Sequence, residues 1–536
     1  STRGNISQQE KAFVIDEVTL PVPNPWKRNV RLSGLDFFKD GRAAVCTYDG
    51  DVWIVDGIDA GLEKVTWRRY ATGLHEPMGL VVVEGEVYVA DRNGIVRLHD
   101  ENGDGEAEYY ENFSNVVPQT AETREFAMGI VEKPGGGFYL PKGGQLGGTT
   151  GIANGTVVEV SADGRRYEII AHGLRQPFIG IDPESGRVTS SDQQGNWVPA
   201  TPIHVIEAGK HYGFIPTNVE DPVQTEAIAE PPVWIPHIVN QSGAGQVVTR
   251  NAKLGPLGDS LLHIGYNRPE LFKIYFDEGG EGAMRQGAVA SAVTGFPCAL
   301  LGGAMNPTDG LVYLEGFRIW GTALDQISGL FRVRYTGATS RVPEEIRSSE
   351  EGIYLRFGFE VDEAIATSFS SYTVERWNYK RTKAYGSGHY RPDGEPGQEK
   401  LAVSSIYLSQ DGHGIFLGIP GMAPVQSMRV TYRVPLALEV PEIASAYLTI
   451  HQLRDLDLAS VGFGEIEVDL SEREVAAAGP ALQPSVAEGE KTAQLIGCVG
   501  CHSVDGSKIA AAPGLVTGPS WKGLWGTKRE FADGRI

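Results

Sequence analysis

Four Gly-aliphatic pairs, Gly34-Leu35, Gly79-Leu80, Gly129-Ile130 and Gly180-Ile181, recur at spacings of 45, 50 and 51 residues, and each precedes short runs of strand-forming residues. The runs include Ala43 to Tyr48 with Val52 to Val55, then Val87 to Ala90, then Gly137 to Leu140, each ending in a polar turn; later copies stand at Ser260 to Ile264 and Gly310 to Leu314. A period of this length holding several short strands is the signature of a β-propeller, in which each repeat is one small antiparallel sheet that cannot bury its faces alone. Roughly 310 residues divided by about 50 gives six blades. Gly329 to Tyr335 is the expected closing strand, pairing with N-terminal residues such as Phe13-Val14-Ile15. The 68 glycines and 31 prolines fit a turn-rich β architecture and count against a helix bundle, where glycine is unfavourable.

The repeat stops near Pro343. Alternating runs at Ile353 to Phe357, Ile415 to Leu417, Met428 to Tyr432 and Tyr447 to Ile450 then predict a β-sandwich of roughly 120 residues. A small-residue, proline-rich stretch from Ala476 to Ser485 has the composition of a semi-stiff spacer, and Val486 to Gly497 is expected to form a helix. The expected fold is therefore mainly β: a six-bladed propeller over residues 1–342, a β-sandwich over 343–472, a linker over 473–485 and an incomplete, α-helical cytochrome c domain over 486–536.

The last assignment rests on Cys498-Val499-Gly500-Cys501-His502. C-x-x-C-H is the spacing that attaches haem c: two thiols add to the two vinyl groups, and the adjacent imidazole reaches the iron. His502 argues against a redox C-x-x-C, and no second C-x-x-C is present to complete a zinc site. Gly518 to Gly526 resembles the G-P-x-L-x-G-x-x-G segment of class I cytochromes c, which implies that the Pro519 carbonyl accepts a hydrogen bond from the proximal His502. That family takes its distal methionine from a later segment, whereas the last methionine here is Met428 and the chain stops at Ile536. Either the natural chain continues or the haem has another sixth ligand or none. Haem c is attached outside the bacterial cytoplasm, so a periplasmic, secreted or cell-surface location follows, and Ser1-Thr2-Arg3-Gly4 opens without a signal peptide, as a mature exported chain would. In that compartment Cys46 and Cys298 either form a disulfide or remain buried thiols. A net charge of −21 argues against nucleic acid as a partner, and no run approaches the roughly 18 to 20 apolar residues of a membrane span.

Gly173-Leu174-Arg175-Gln176-Pro177 with Asp182-Pro183-Glu184-Ser185-Gly186, followed by Ser191 to Trp197, Gly209 to Gly213 and Gly265 to Arg268, resembles the soluble quinoprotein aldose dehydrogenases and related sugar dehydrogenase-like propellers over roughly residues 30 to 340. The resemblance implies that Arg175 contacts pyrroloquinoline quinone, with Gln176 standing where the family has asparagine; the family's catalytic histidine has no local match. A planar guanidinium suits a cofactor bearing carboxylates and quinone oxygens. Independently, propeller loops converge at one end of the channel, and Arg175, Gln176, Asp192, Gln193, Gln194, Asn196 and His204 crowd into 30 residues of such loops. Other blades offer His75-Glu76, Arg124-Glu125, Lys142 with Gln145, Arg268 and Arg318. His75 or His204 is the expected base for a substrate hydroxyl, with Asp192 also in the catalytic set. Gln193, Gln194, Asn196, Arg268 and Arg318 are the expected substrate contacts.

Asp100, Asn102, Asp104, Gly105 and Glu111 have the spacing of an EF-hand calcium loop, but strand-like Ile95 to Leu98 precedes them, so a hairpin turn is the competing reading. Arg376 to Tyr385 with His389-Tyr390-Arg391 is a basic, aromatic stripe in an acidic protein, fit either for sugar rings and anions or for core packing around Trp377. Gly143 to Gly151 is glycine-rich but lacks the lysine and serine of a P-loop. Together these readings predict an exported oxidoreductase that oxidises a sugar, alcohol or polysaccharide-derived substrate and passes electrons through its haem to a downstream acceptor. The alternative is a carbohydrate- or partner-binding propeller and sandwich with an electron-transfer cytochrome and no dehydrogenase activity.

Overall fold

The structure is a computed structural model that describes residues 1–119, 125, 127–144, 152–216, 219, 226–280, 282–322, 324–438 and 442–471. The chain divides into two compact units, Ser1–Arg473 and Glu474–Ile536. The expected linker and cytochrome residues, with Cys498, Cys501, His502 and Pro519, lie outside the described residues. Among the described residues of the first unit, regular structure is almost all β, the exception being one short α-helix, Glu363–Ala366, and two 3-10 turns. No helix among the described residues is long and apolar enough to cross a membrane.

Six antiparallel sheets succeed one another along residues 13–335. Their first strands are Leu32–Phe37, Gly79–Val83, Val131–Glu132, Phe178–Ile181, Gly243–Val248 and Gly302–Met305. All six line one central cavity of ≈ 410 Å³, so the sheets form a closed ring. The repeated glycines stand where neighbouring first strands converge. A Cβ on Gly34 would lie 2.8 Å from the Gly79 Cα, and one on Gly79 would lie 2.7 Å from the Gly129 Cα. Real Cβ atoms do not approach so closely, so at Gly34 and Gly79 the period is a packing requirement, whereas Gly129, with nothing within 4 Å of a Cβ, is set by its φ of +136°. The runs read from the sequence are second strands in every copy: Ala43–Thr47, Glu86–Asp91 and Phe138–Lys142 in the first three sheets, and Leu261–Gly265 and Val312–Phe317 in the fifth and sixth, where Ser260 to Ile264 and Gly310 to Leu314 were expected. Between the third and fourth strands of the fourth sheet, Lys210–His211 leaves to pair in parallel with the third sheet.

The N-terminal strand Phe13–Glu17 completes the sixth sheet against Ser328–Tyr335, with Phe13 opposite Tyr335 and Ile15 opposite Val333, as the sequence suggested. Asp16 locks this closure. Its carboxylate is fully buried, accepts from Arg332 Nη2 at 2.8 Å and Arg334 Nε at 2.6 Å, and takes a third bond from the Ser7 amide at 2.9 Å. Burial pushes its pKa up, but the bonds from Arg334, Ser7 and Arg332 outweigh it and leave the carboxyl below its ordinary value.

Residues 343–471 add a sandwich. One layer holds Glu345–Ser348, Gly352–Arg356, Ser405–Leu408 and Gly414–Gly418. The other holds Tyr372–Trp377, Glu399–Leu401, Val425–Arg433 and Ile443–Ile450 and continues the fifth sheet of the ring, since Ala288 pairs with Leu448 and Ala290 with Ala446. The boundary near 343 thus marks a change of architecture across which the hydrogen-bond ladder runs unbroken. Tyr275, Ala288 and Ala290 of the ring share one core with Leu355, Val374, Leu417, Val430 and Leu448. Cys46 and Cys298 are both free and buried, which removes the disulfide; burial pushes the Cys46 thiol up to about 12.

Two outcomes follow. Asp16→Ala strands Arg332 as a buried charge and should destabilise the chain by about 3–5 kcal/mol in urea unfolding. The wild-type contribution should be present above the ordinary pKa of 3.8 and lost as pH falls through the depressed folded value. Glu315 faces the central cavity with its Oε2 unbonded to any described residue, and burial raises its pKa from 4.5 to about 8. The folded state then holds a proton that the unfolded state has released, so stability should fall from pH 4.5 to about 8 and level off above. Unfolding of Glu315→Gln across that window should show a shallower decline.

Candidate functional site

In each sheet the first two strands are antiparallel, so the start of the first lies beside the end of the second: Gly79 pairs with Ala90, Phe178 with Ser191, and Gly243 with Gly265. The loops at this edge carry most of the residues singled out by the sequence. The fourth sheet supplies the densest group. Asp192, buried just past the second strand, accepts the backbone N–H groups of Arg175 at 2.7 Å, Gln176 at 2.6 Å and Gln193 at 2.7 Å. Burial pushes its carboxyl up to about 6 against those three bonds. Asp192, expected from the sequence in the catalytic set, is thus a peg for the Arg175-Gln176 turn, with both oxygens engaged by backbone amides.

The peg presents two buried side chains. Arg175, 5% exposed, donates through Nη1 to the Gln194 carbonyl at 3.0 Å, and its guanidinium lies 5.3 Å from the centre of the Tyr385 ring. Gln176, 1% exposed, has neither amide atom hydrogen-bonded among the described residues. Gln193 Nε2 bonds the Gly243 carbonyl and Gln194 Nε2 the Pro199 carbonyl, so both amides serve the scaffold. Asn196, expected from the sequence as a substrate contact, donates through Nδ2 to the Lys383 carbonyl at 2.6 Å, a contact to the sandwich segment.

That segment is the basic, aromatic stripe of the sequence, and its position over the fourth sheet is what sequence reasoning missed. Residues 378–390 leave the sandwich and cross the fourth sheet, held by Trp197 N to Thr382 O at 2.8 Å, Gly386 N to Gly195 O at 2.9 Å and Ser387 N to Pro199 O at 3.1 Å. Two glycines permit the approach: a Cβ on Gly195 would fall on Arg175 Nε, and one on Gly386, which has φ +67°, on Gln194 Nε2. Nothing local in sequence links Tyr385 to Arg175, which stand 210 positions apart.

The histidines separate. His204 sits in the third strand, Thr201–Val205, fully buried with its ring 4.6 Å from that of Tyr212 in an edge-on contact; burial drives its pKa down to about 3. The ring expected to act as a base is thus held neutral inside a strand, with its Nδ1, like the Gln176 amide, unbonded among the described residues. His75 is exposed at the loop edge. Its backbone N–H is held by Asp91 at 3.1 Å, as that of Arg175 is held by Asp192. Gly73-Leu74-His75-Glu76-Pro77 with Asp91 is thus a second copy of Gly173-Leu174-Arg175-Gln176-Pro177 with Asp192, a match legible in sequence once the repeat is aligned. Beside it Glu76 pairs with Arg92 at 2.8 Å.

In the third sheet Lys142 is buried, donates to the Pro118 carbonyl at 2.6 Å and lies 3.8 Å from Glu125; burial lowers its pKa. Arg124 and Gln145 lie outside the described residues. Arg268 is half-buried and donates to the Ile238 carbonyl, and Arg318 is exposed. The calcium-like loop is a hairpin between Gly94–His99 and Tyr109–Ser114. Asp100 there accepts the amides of Gly103, Asp104 and Gly105, and the carboxylates that gather are Asp100, Asp104 and Glu108. Asn102 Nδ2 donates to Glu108, and Glu111 instead meets His99 at 2.9 Å, which corrects the EF-hand ligand set. In the basic stripe, Trp377 and Tyr379 are core, as the packing reading held.

No family model and no curated protein matches the sequence. Among solved structures the chain is similar to a PQQ-bound aldose sugar dehydrogenase from Streptomyces coelicolor (15% identity, 60% of this chain and 98% of that one, TM-score 0.44). It is also similar to the apo soluble aldose sugar dehydrogenase of Escherichia coli (12%, 60% and 99%, TM-score 0.47) and the PQQ domain of pyranose dehydrogenase from Coprinopsis cinerea (10%, 62% and 97%, TM-score 0.42).

Asp192→Ala leaves three buried amides without their acceptor and should cost about 3 kcal/mol or more. Urea denaturation followed by tryptophan fluorescence measures this.

Proposed function

We propose that the chain is an exported haem-c oxidoreductase whose ring, a six-bladed β-propeller, oxidises a sugar or alcohol at the loops around Arg175 and whose C-terminal cytochrome takes the electrons away. The observation that carries the reading is Gln176: an amide 1% exposed, with donor and acceptor both unbonded among the described residues, set beside the Arg175 guanidinium by a buried carboxylate. Burying such a group without partners is costly, so a ligand at this corner would stabilise it.

The donors present suit pyrroloquinoline quinone: Arg175 for a carboxylate or quinone oxygen and Gln176 for an adjacent acceptor–donor edge. When bound, that group supplies two-electron acceptance. The protein's own contribution is to hold Arg175 and Gln176 rigid through Asp192, and to offer His75, at the equivalent position two sheets away, as the acceptor of the substrate hydroxyl proton. Cys498 and Cys501 would carry the haem with His502 on iron and Pro519 behind it, and tethering it raises the effective concentration of the electron acceptor. Haem c attachment makes the periplasm or cell surface the place of work.

The test uses the full chain. The reduced pyridine spectrum should report covalent haem c. After addition of the quinone and calcium, a panel of aldoses and alcohols should reduce the protein's own haem. Arg175→Ala should retain the haem spectrum and lose substrate-driven reduction by at least about 100-fold, the loss expected for a buried charged contact. Haem that stays oxidised across the panel would overturn the dehydrogenase reading.

A further inference from the structure

The basic stripe at residues 376–391 divides in two. One half is anchor: Trp377 is buried and stacked on His389 at 4.4 Å, Tyr379 packs 5.8 Å from Trp234, Arg376 pairs with Glu399 at 2.7 Å, and Arg381 pairs with Glu230 at 3.2 Å. The other half faces outward. Tyr385 is 61% exposed although its backbone is bridged to Asn196 and one side of its ring lies over the Arg175 guanidinium. Lys380 and Lys383 are exposed and carry no ion pair among the described residues, though the Lys380 ammonium lies 3.7 Å over the Tyr390 ring and 3.5 Å from the Gly394 carbonyl, which leaves Lys383 as the freer of the two. No acidic residue falls between Arg376 and Arg391, in a chain of net charge −21.

An exposed tyrosine that is merely tolerated does not need its main chain fixed on both sides. Here Asn196 Nδ2 holds the Lys383 carbonyl, and the Gly386 and Ser387 amides are held by Gly195 and Pro199. The ring is therefore presented in one orientation with little entropy left to lose on binding. A rigid aromatic face suits the C–H face of a pyranose, and an ammonium two residues away suits an anion on that sugar. Neutral sugars would use only the ring. We propose that Tyr385, with Lys383 and Lys380, forms a binding platform for acidic sugars, uronate residues of an oligosaccharide, at the mouth of the Arg175 corner. The sandwich thereby supplies one wall of the site. The platform stands on binding alone and goes beyond the redox reading, since it needs no turnover.

Calorimetric titration of the full chain with trigalacturonate and with its fully methyl-esterified form tests this. The acid should bind, and the ester should bind about tenfold more weakly. Tyr385→Ala should weaken the acid by about tenfold, Tyr385→Phe should restore it, and Lys383→Gln should abolish the preference for acid over ester. Higher salt should weaken the acid selectively. Absence of binding, an ester that binds as tightly as the acid, or Tyr385→Ala binding like wild type would each overturn the platform. Binding that persists while haem reduction fails sinks only the dehydrogenase reading; haem reduction without binding sinks only the platform.

Discussion

Everything in the first unit depends on one buried carboxylate. Asp16 joins the first strand of the chain to the last strand of the ring through Arg332 and Arg334, and Arg332 in turn donates to the Asp59 carbonyl of the first sheet at 2.7 Å. A ring of sheets has no interior end; it is held by the contact that makes it continuous. Because the first strands must then share one axis, Gly34 and Gly79 sit where a neighbour's backbone leaves no room for a Cβ.

The same logic recurs at the loop edge on a smaller scale. Asp91 and Asp192 each take the amide of the residue that directly follows a Gly-Leu pair, so a turn before the first strand is pinned to the end of the second. Pinning removes freedom from the loops that would otherwise be most mobile, and places His75 and Arg175 in equivalent settings with different chemistry. A repeat whose frame is held by backbone bonds can vary the outward side chain without disturbing the frame.

The glycine period, the closing strand and the Arg175-Gln176 corner were legible because each is a local signal with a strong physical cause. The copies in the fifth and sixth sheets were legible because their second strands carry the same apolar run as the first three. His204 was read as a loop residue, whereas it lies in Thr201–Val205, a strand buried along most of its length, where a polar residue carries no local signature. Asn196 and the carboxylates of the 100–108 loop were correctly seen as polar and surface-directed; their partners, Lys383 and Glu108, were set by tertiary folding and hairpin geometry. The stripe ending at Tyr385 was legible as a candidate for sugar rings, but its place against Arg175 was not, since a contact across 210 positions leaves no trace in spacing.

The ladder between Gln286–Thr294 and Ile443–Ile450 has a topological meaning of its own. In a free-standing ring the outermost strand of each sheet is a short rim; here one rim is the midline of an eight-stranded sheet. Cleaving the chain near residue 343 would turn that midline into an open edge, with the carbonyls and amides of Gly287 to Ala290 unpaired and the apolar patch of Tyr275, Ala288 and Ala290 uncovered. Ring and sandwich are therefore one heritable folding piece: neither can be shuffled into another protein without the other's strand to cap it.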